Sequence, residues 1–307
     1  MTTNQPGSTI RGNEHPLPKL DRGALPGLYR AASDASNNSQ KSHFFWLRSY
    51  LLLLIATALP SFFLPNGSLG AALSAALFIT SLLVLIFLKV RNLQDIWYNG
   101  RAVAESVKTR TWRWVMQATP YEEGTTQNVD KLFIDDLLEI LKDNKSLSEH
   151  LSVGSDSRQP ISQRMRDIRA LSTQKRLKLY VEQRIDSQAR WYRNKALSNK
   201  HKANFWFWVS VALHTSAVVV LLAKAAKPSI NLPTEALATA AGAVLTWLEA
   251  KRHRELTSSY ALTANEINII QGRANYINSE SDLANFVLDS ENAFSREHTQ
   301  WSAKKSV

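Results

Sequence analysis

Apolar residues fall along this chain in four dense runs, separated by long stretches of helical periodicity. The densest, Leu69 to Leu88, is twenty residues without a charge. At about 1.5 Å per residue it spans about 30 Å, the hydrocarbon thickness of a bilayer, and it predicts a transmembrane helix. Ser49 to Leu64 is a second run. Pro65-Asn66-Gly67-Ser68 lies between the two and is too short for anything but a tight reversal, so they predict an antiparallel hairpin over about 49–90. Ala203 to Ala223 predicts a third span. Asn231 to Leu248 predicts a shorter and less apolar fourth, with Glu235 at its outer boundary, closing a second hairpin over about 203–248.

Between and beyond the hairpins the period is that of amphipathic helices. Ile96, Val103, Val107 and Trp114 form one stripe, and Val129 to Leu141 forms another through Leu132, Phe133, Leu137 and Ile140. Leu256, Tyr260, Thr263, Ile267, Ile270, Ala274 and Ile277 alternate steps of four and three, a coiled-coil seam that serves packing within one chain or between chains. A last helix is expected from about Ser281 to Ser302. The fold class is therefore all-α and integral to the membrane, two hairpins carrying long cytoplasmic helices. The expected organisation is an N-terminal arm over 1–40, rich in Pro, Gly, Ser and Asn and taken as disordered. A first module over 41–142, a linker over 143–157 and a second module over 158–307 follow. Architecture repeats in the two modules.

Charge supplies the orientation. The net charge is +11, yet Lys41 and Arg48, Lys89 and Arg91, and Lys251, Arg252 and Arg254 sit at the open ends of the hairpins, which places both termini in the cytoplasm of a multi-pass inner-membrane protein. Trp46, Trp97, Trp206, Trp208 and Trp247 fall where an aromatic belt belongs on that side. From Arg158 to Lys202 there are thirteen Lys and Arg against three acids, on what reads as one basic helix from Ser162 to Lys202. Arg184, Arg190, Arg193, Lys195, Lys200 and Lys202 are its candidate surface for anionic lipid or another anionic ligand; the alternative is a solvated helix that obeys the positive-inside rule. No specific nucleic acid is expected.

A mean hydropathy of −0.23 requires the membrane part to be a minority of the chain. The absence of cysteine excludes disulfides, thiolate metal sites and a cysteine nucleophile. No P-loop, dinucleotide fingerprint, HExxH or G-x-S-x-G motif is present, so neither an enzyme nor a cofactor or metal site is expected. The second span has only Ser74, Thr80 and Ser81 polar; the candidate pore-lining residues are Ser210, His214, Thr215 and Ser216 in the third span and Thr239 and Thr246 in the fourth. These could line an aqueous path, because ionisable groups at membrane depth face protein or water. The alternative is that the hydroxyls bond back to their own helix and His214 stays neutral in a helix contact. Ala71/Ala75 and Ala238/Gly242 permit close helix approach in either case.

Specific residues carry a resemblance. Trp97-Tyr98-Asn99-Gly100-Arg101-Ala102-Val103-Ala104-Glu105-Ser106, with Thr111-Trp112-Arg113-Trp114 and Pro120-Tyr121, resembles the helix after the second span in SLATT-type two-transmembrane domains. In the second half, Arg164 to Leu171, Gln188 to Ala196 and Ser295 to Trp301 resemble the related family DUF4231. Together these resemblances cover about 40–305. They imply a membrane effector of bacterial conflict and anti-phage systems, one that oligomerises and forms a pore or perturbs the membrane when a separate sensor protein or a nucleotide signal triggers it. The competing expectation is a non-conducting membrane scaffold.

Overall fold

In the computed structural model, residues 17–64, 68–124, 128–151 and 159–303 are described, and among them every element is helical. Each half is built on one long helix with a return helix laid antiparallel against it. In the first half α1 (Gly27–Thr57) continues after Ala58 as α2 (Leu59–Phe63); α3 (Ser68–Val90) and α4 (Leu93–Val115) come back along it. Contacts Ser74 with Thr57, Trp46 with Phe87 and Ser36 with Trp97 mark the antiparallel register from tip to base. Between α3 and α4 the chain turns at Asn92, whose φ of 44° is one that asparagine tolerates better than most residues.

Short elements link the halves. α5 (Val129–Asp143) is capped by the Asn128 side chain, which accepts from the Lys131 amide, and α6 (Gln163–Arg169) by Ser162, which accepts from the Met165 amide. α7 (Thr173–Tyr180) then runs through a π turn at Val181–Ile185 into α8 (Asp186–Ala226), giving one helical run of 54 residues. α9 (Thr234–Lys251) and α10 (His253–Arg273) return antiparallel along α8, joined at Arg252 with a φ of 47°. Asn92 and Arg252 are 160 positions apart, as are Ala32 and Tyr192, and Gly100 and Tyr260, so the hairpin unit is repeated contact by contact. α11 (Glu280–Ala303) packs across α4 and α10 and closes the second half onto the first.

One soluble core results, drawn from both halves. Trp114, Met116, Tyr121, Phe133, Met165, Ile168, Leu179, Tyr180, Ile185 and Leu283 are almost wholly buried in it. The heptad seam is spent inside the chain, with Tyr260, Thr263, Ile267 and Ile270 buried on α8. By contrast the hairpin helices expose Phe78, Ile79, Leu82, Leu83, Val218, Val219 and Leu222, the surface that a bilayer covers.

Three expectations are corrected. Residues 1–16 of the expected disordered arm lie outside the described residues, but the remainder is ordered. Pro18 and Leu20 bond to Gln183, and α1 begins at Gly27, burying Ala32, Ala35, Ser36 and Ser39. Small residues make that face, so no apolar stripe announced it. The linker over 143–157 contains a 3-10 helix, Lys145–His150, whose Leu147 enters the core; residues 152–158 lie outside the described residues. The expected single basic helix is broken at Ala170–Ser172. Among the described residues three helices are long and apolar enough to cross a membrane; α9, the expected fourth span, carries Glu235, Glu249 and Lys251 within its 18 residues.

Candidate functional site

The two hairpins stand side by side, tip to tip and base to base. At the tips Ser61 donates to Glu235 (3.1 Å) and the Asn231 amide to the Phe62 carbonyl (2.9 Å). At the bases Phe44 meets Trp97 and Trp247 edge-on, Trp206 meets Trp247, and Arg48 and Lys251 lie over the Trp247 ring. Three of the five expected interface tryptophans thus form one cluster. Trp46 packs apart on Phe87, and Trp208 is exposed.

Polar groups in the spans face two ways. Ser210 is buried, and the His214 Nδ1–H donates to its carbonyl at 2.7 Å. His214, Thr215, Ser216 and Thr246 are exposed on the outside of the chain, so a single copy does not enclose them. Thr239 and Thr246 donate to the carbonyls of Glu235 and Gly242, each four residues back in its own helix.

In the soluble core a buried ion pair of the second half is bonded to the first half through Thr109. The π turn adds a residue to the helical repeat and sets Arg184 inward. Its Nε and Nη2 each lie 2.7 Å from a Glu291 oxygen on α11, and Tyr180 (3.0 Å) and Thr109 of α4 (2.9 Å) donate to the same carboxylate. Burial alone favours a neutral guanidine, but the Glu291 carboxylate outweighs it and holds Arg184 charged. Tyr180 is pushed well above its ordinary range, first by burial and then by that carboxylate. Arg184 is therefore not part of an anion-facing surface, a correction of the sequence reading: it is almost wholly buried, and Nη1 has no hydrogen-bond partner among the described residues.

Sequence reasoning did not anticipate the cleft where the halves meet above the aromatic bases. Its volume is about 790 Å³, and α1, α4, α8, the end of α9, α10 and Phe294 of α11 wall it. Lys195 and Lys202, one helical repeat of seven apart on α8, face it together with Arg101, Lys108, Lys251 and Arg252; Glu105 is the one carboxylate among the described lining residues. Arg190, Arg193 and Lys200 are exposed on other faces of α8. Trp191 stands between the halves with Arg101 (6.0 Å) and Lys195 (5.5 Å) over its ring. The signal for this site was present as a heptad spacing of lysines on α8, but its partners come from a helix about 100 residues earlier.

His253 at the rim shows how strongly the cleft disfavours added positive charge. Its Nδ1–H donates to Asn199 at 2.7 Å, and burial, then Lys202 and Lys251, push its pKa from 6.5 to about 4. The unfolded chain therefore takes up a proton that the folded chain refuses, so this contribution is complete above pH 6.5 and is lost as pH falls toward 4. Thermal unfolding followed across that window should fall less steeply in His253→Asn than in the parent. Parallel curves would assign the acid sensitivity elsewhere.

Comparison with known families places the whole arrangement. SMODS and SLOG-associating 2TM effector domain 3 matches residues 26–177, and SMODS and SLOG-associating 2TM effector domain 1 matches residues 180–301. The first match begins at the foot of α1, where the structure also begins its first hairpin unit, and runs on through Arg164 to Leu171; the stretches Gln188 to Ala196 and Ser295 to Trp301 fall to effector domain 1. No curated protein and no solved structure matches the chain. Two hairpin units of the same build, apolar helices that only lipid can cover and two successive family matches converge on one statement: this membrane protein belongs to the SLATT family of two-transmembrane effector domains, carrying two of them in tandem.

Proposed function

We propose that the chain is a membrane effector of a bacterial conflict system, several copies of which assemble in the inner membrane and open a polar path when a separate sensor signals. The observation that carries this reading is His214. An ionisable ring in the middle of an apolar span lies exposed on the outside of the chain, and in lipid it requires a neighbouring protein or water. In an assembly, Thr215 and Ser216 line the same path, with Ser210 behind them. α9 acts as the fourth span beside α1 and α8, leaving both termini cytoplasmic; Lys41, Lys89 and the basic residues after Trp247 favour that orientation.

Two surfaces favour assembly. Ala238 and Gly242 are exposed on α9, and a methyl group at Gly242 meets nothing within 4 Å, so another helix can approach closely there. On the cytoplasmic side Leu262, Ile269 and Tyr276 stand at seven-residue spacing and are 71%, 74% and 79% exposed. The scaffold reading draws on Thr239 and Thr246, whose hydroxyls are satisfied by their own helix and need no water.

The deciding measurement is dye release from liposomes of inner-membrane lipid bearing the purified chain at rising density. Release that climbs with density supports the effector reading, and His214→Leu should reduce it at least about tenfold. Intact vesicles at every density favour the scaffold.

A further inference from the structure

We propose that the cleft between the two halves binds a phosphate-bearing ligand, held by Lys195, Lys202 and Lys251 of the second half facing Arg101 of the first. Charge is the first argument. Of the six cationic side chains that line it, Lys108 pairs with Glu105 (3.6 Å) and Arg252 with Glu255 (2.6 Å). Lys195, Lys202 and Lys251 have no carboxylate partner among the described residues. Uncompensated cations converging on one concave space raise each other's electrostatic cost, and an anion placed among them removes it. Lys251 registers that cost directly, its pKa pushed down to about 8 by burial and then by Arg48 and Lys202.

Shape and lining give the second argument. A volume of about 790 Å³ lies within the range of small-ligand sites and is far more than a single inorganic anion needs. Trp191 and Tyr98 offer aromatic surface to the ligand's remaining atoms, and Asn37, Gln40, Asn99 and Gln188 offer amides. A multiply charged phosphate ester with a flat ring matches this set. A phospholipid headgroup presents the same phosphate chemistry from the bilayer side, since Phe44, Trp97 and Lys251 join the cleft to the aromatic bases.

The third argument is position. Arg101 and Lys108 belong to the first half and Lys195, Lys202 and Lys251 to the second, so a ligand that bridges them draws α4 and α8 together. α8 continues without a break into the span that carries His214. As a trigger the site rests on the effector reading; as a binding site it does not.

The test uses the full-length chain in detergent, titrated by calorimetry with pyrophosphate and with ADP, and then in nanodiscs of phosphatidylcholine with or without phosphatidylglycerol. Saturable binding of either soluble probe is expected, weakened about tenfold or more in the Lys195→Ala/Lys202→Ala variant. Arg190→Ala/Lys200→Ala removes equal charge from the same helix outside the cleft and should bind as the parent does. Weaker ADP binding with unchanged pyrophosphate binding in Trp191→Ala assigns the ring to stacking. If phosphatidylglycerol competes with pyrophosphate, and does so through Lys195 and Lys202, the phosphate is a lipid's. Absence of saturable binding by all three probes, or equal weakening in the two double variants, overturns the site. Binding without dye release leaves the site standing and counts against the effector reading; release without binding does the reverse.

Discussion

Glu291→Leu is expected to destabilise the soluble core by about 3–5 kcal/mol. The carboxylate it removes accepts from Arg184, Tyr180 and Thr109 in a space from which water is excluded. Arg184 would be left as a buried, uncompensated charge, and that desolvation cost, not the lost attraction, dominates. Set against a typical net stability of about 5–15 kcal/mol, the change is a large fraction of the total and should lower the melting temperature clearly. The companion variant Arg184→Met/Glu291→Leu removes both charges and should recover most of the melting temperature, because a fitted apolar pair is commonly as stable as a buried ion pair. If the double variant melts as low as the single one, the pair matters for something other than charge balance.

A second large effect is expected at Gly100. A methyl group there would sit 2.9 Å from the Ala32 carbonyl oxygen and 3.1 Å from the Ser36 amide nitrogen and Cβ, and the obstructing groups include backbone that cannot swing aside. α4 must then lift from α1, losing the Ser36 hydroxyl bond to the Trp97 carbonyl (2.9 Å) and opening the aromatic base. Gly100→Ala should cost about 1–3 kcal/mol, and Gly100→Leu more. Gly242→Ala is the contrast: its methyl meets nothing, and the exchange of glycine for alanine within a helix should raise stability by up to about 1 kcal/mol. Melting temperatures of the three variants against the parent check the pair of statements, and a Gly100→Ala protein as stable as the parent would contradict the close approach.

The hairpins, the stripe through Val103, Val107 and Trp114 and the seam through Tyr260, Ile267 and Ile270 were legible because each is a local period of apolar residues. Where the contact surface is made of small or polar side chains, the same reasoning had nothing to detect. The first two turns of α1 pack through Ala32 and Ser36 against Gly100, and a face of that kind reads as loop composition. Arg184 looked like any other member of a basic stretch, since its partner lies 107 positions away and the π turn that redirects it leaves no pattern of its own. The cleft was illegible for a related reason: Lys195 and Lys202 could be placed on one face, but nothing in their neighbourhood revealed that Arg101 and Lys251 face them.

The unbroken run from Thr173 to Ala226 gives the molecule a mechanical property. Over its 54 residues, about 80 Å, it is a shaft with one end seated in the core shared by both halves and the other apolar enough to cross a membrane. A continuous helix passes part of any turn at one end on to the other. His214 lies thirty residues beyond Arg184 on the same run, so a change in how Tyr180 and Arg184 are seated in the core would also turn the face that His214 presents.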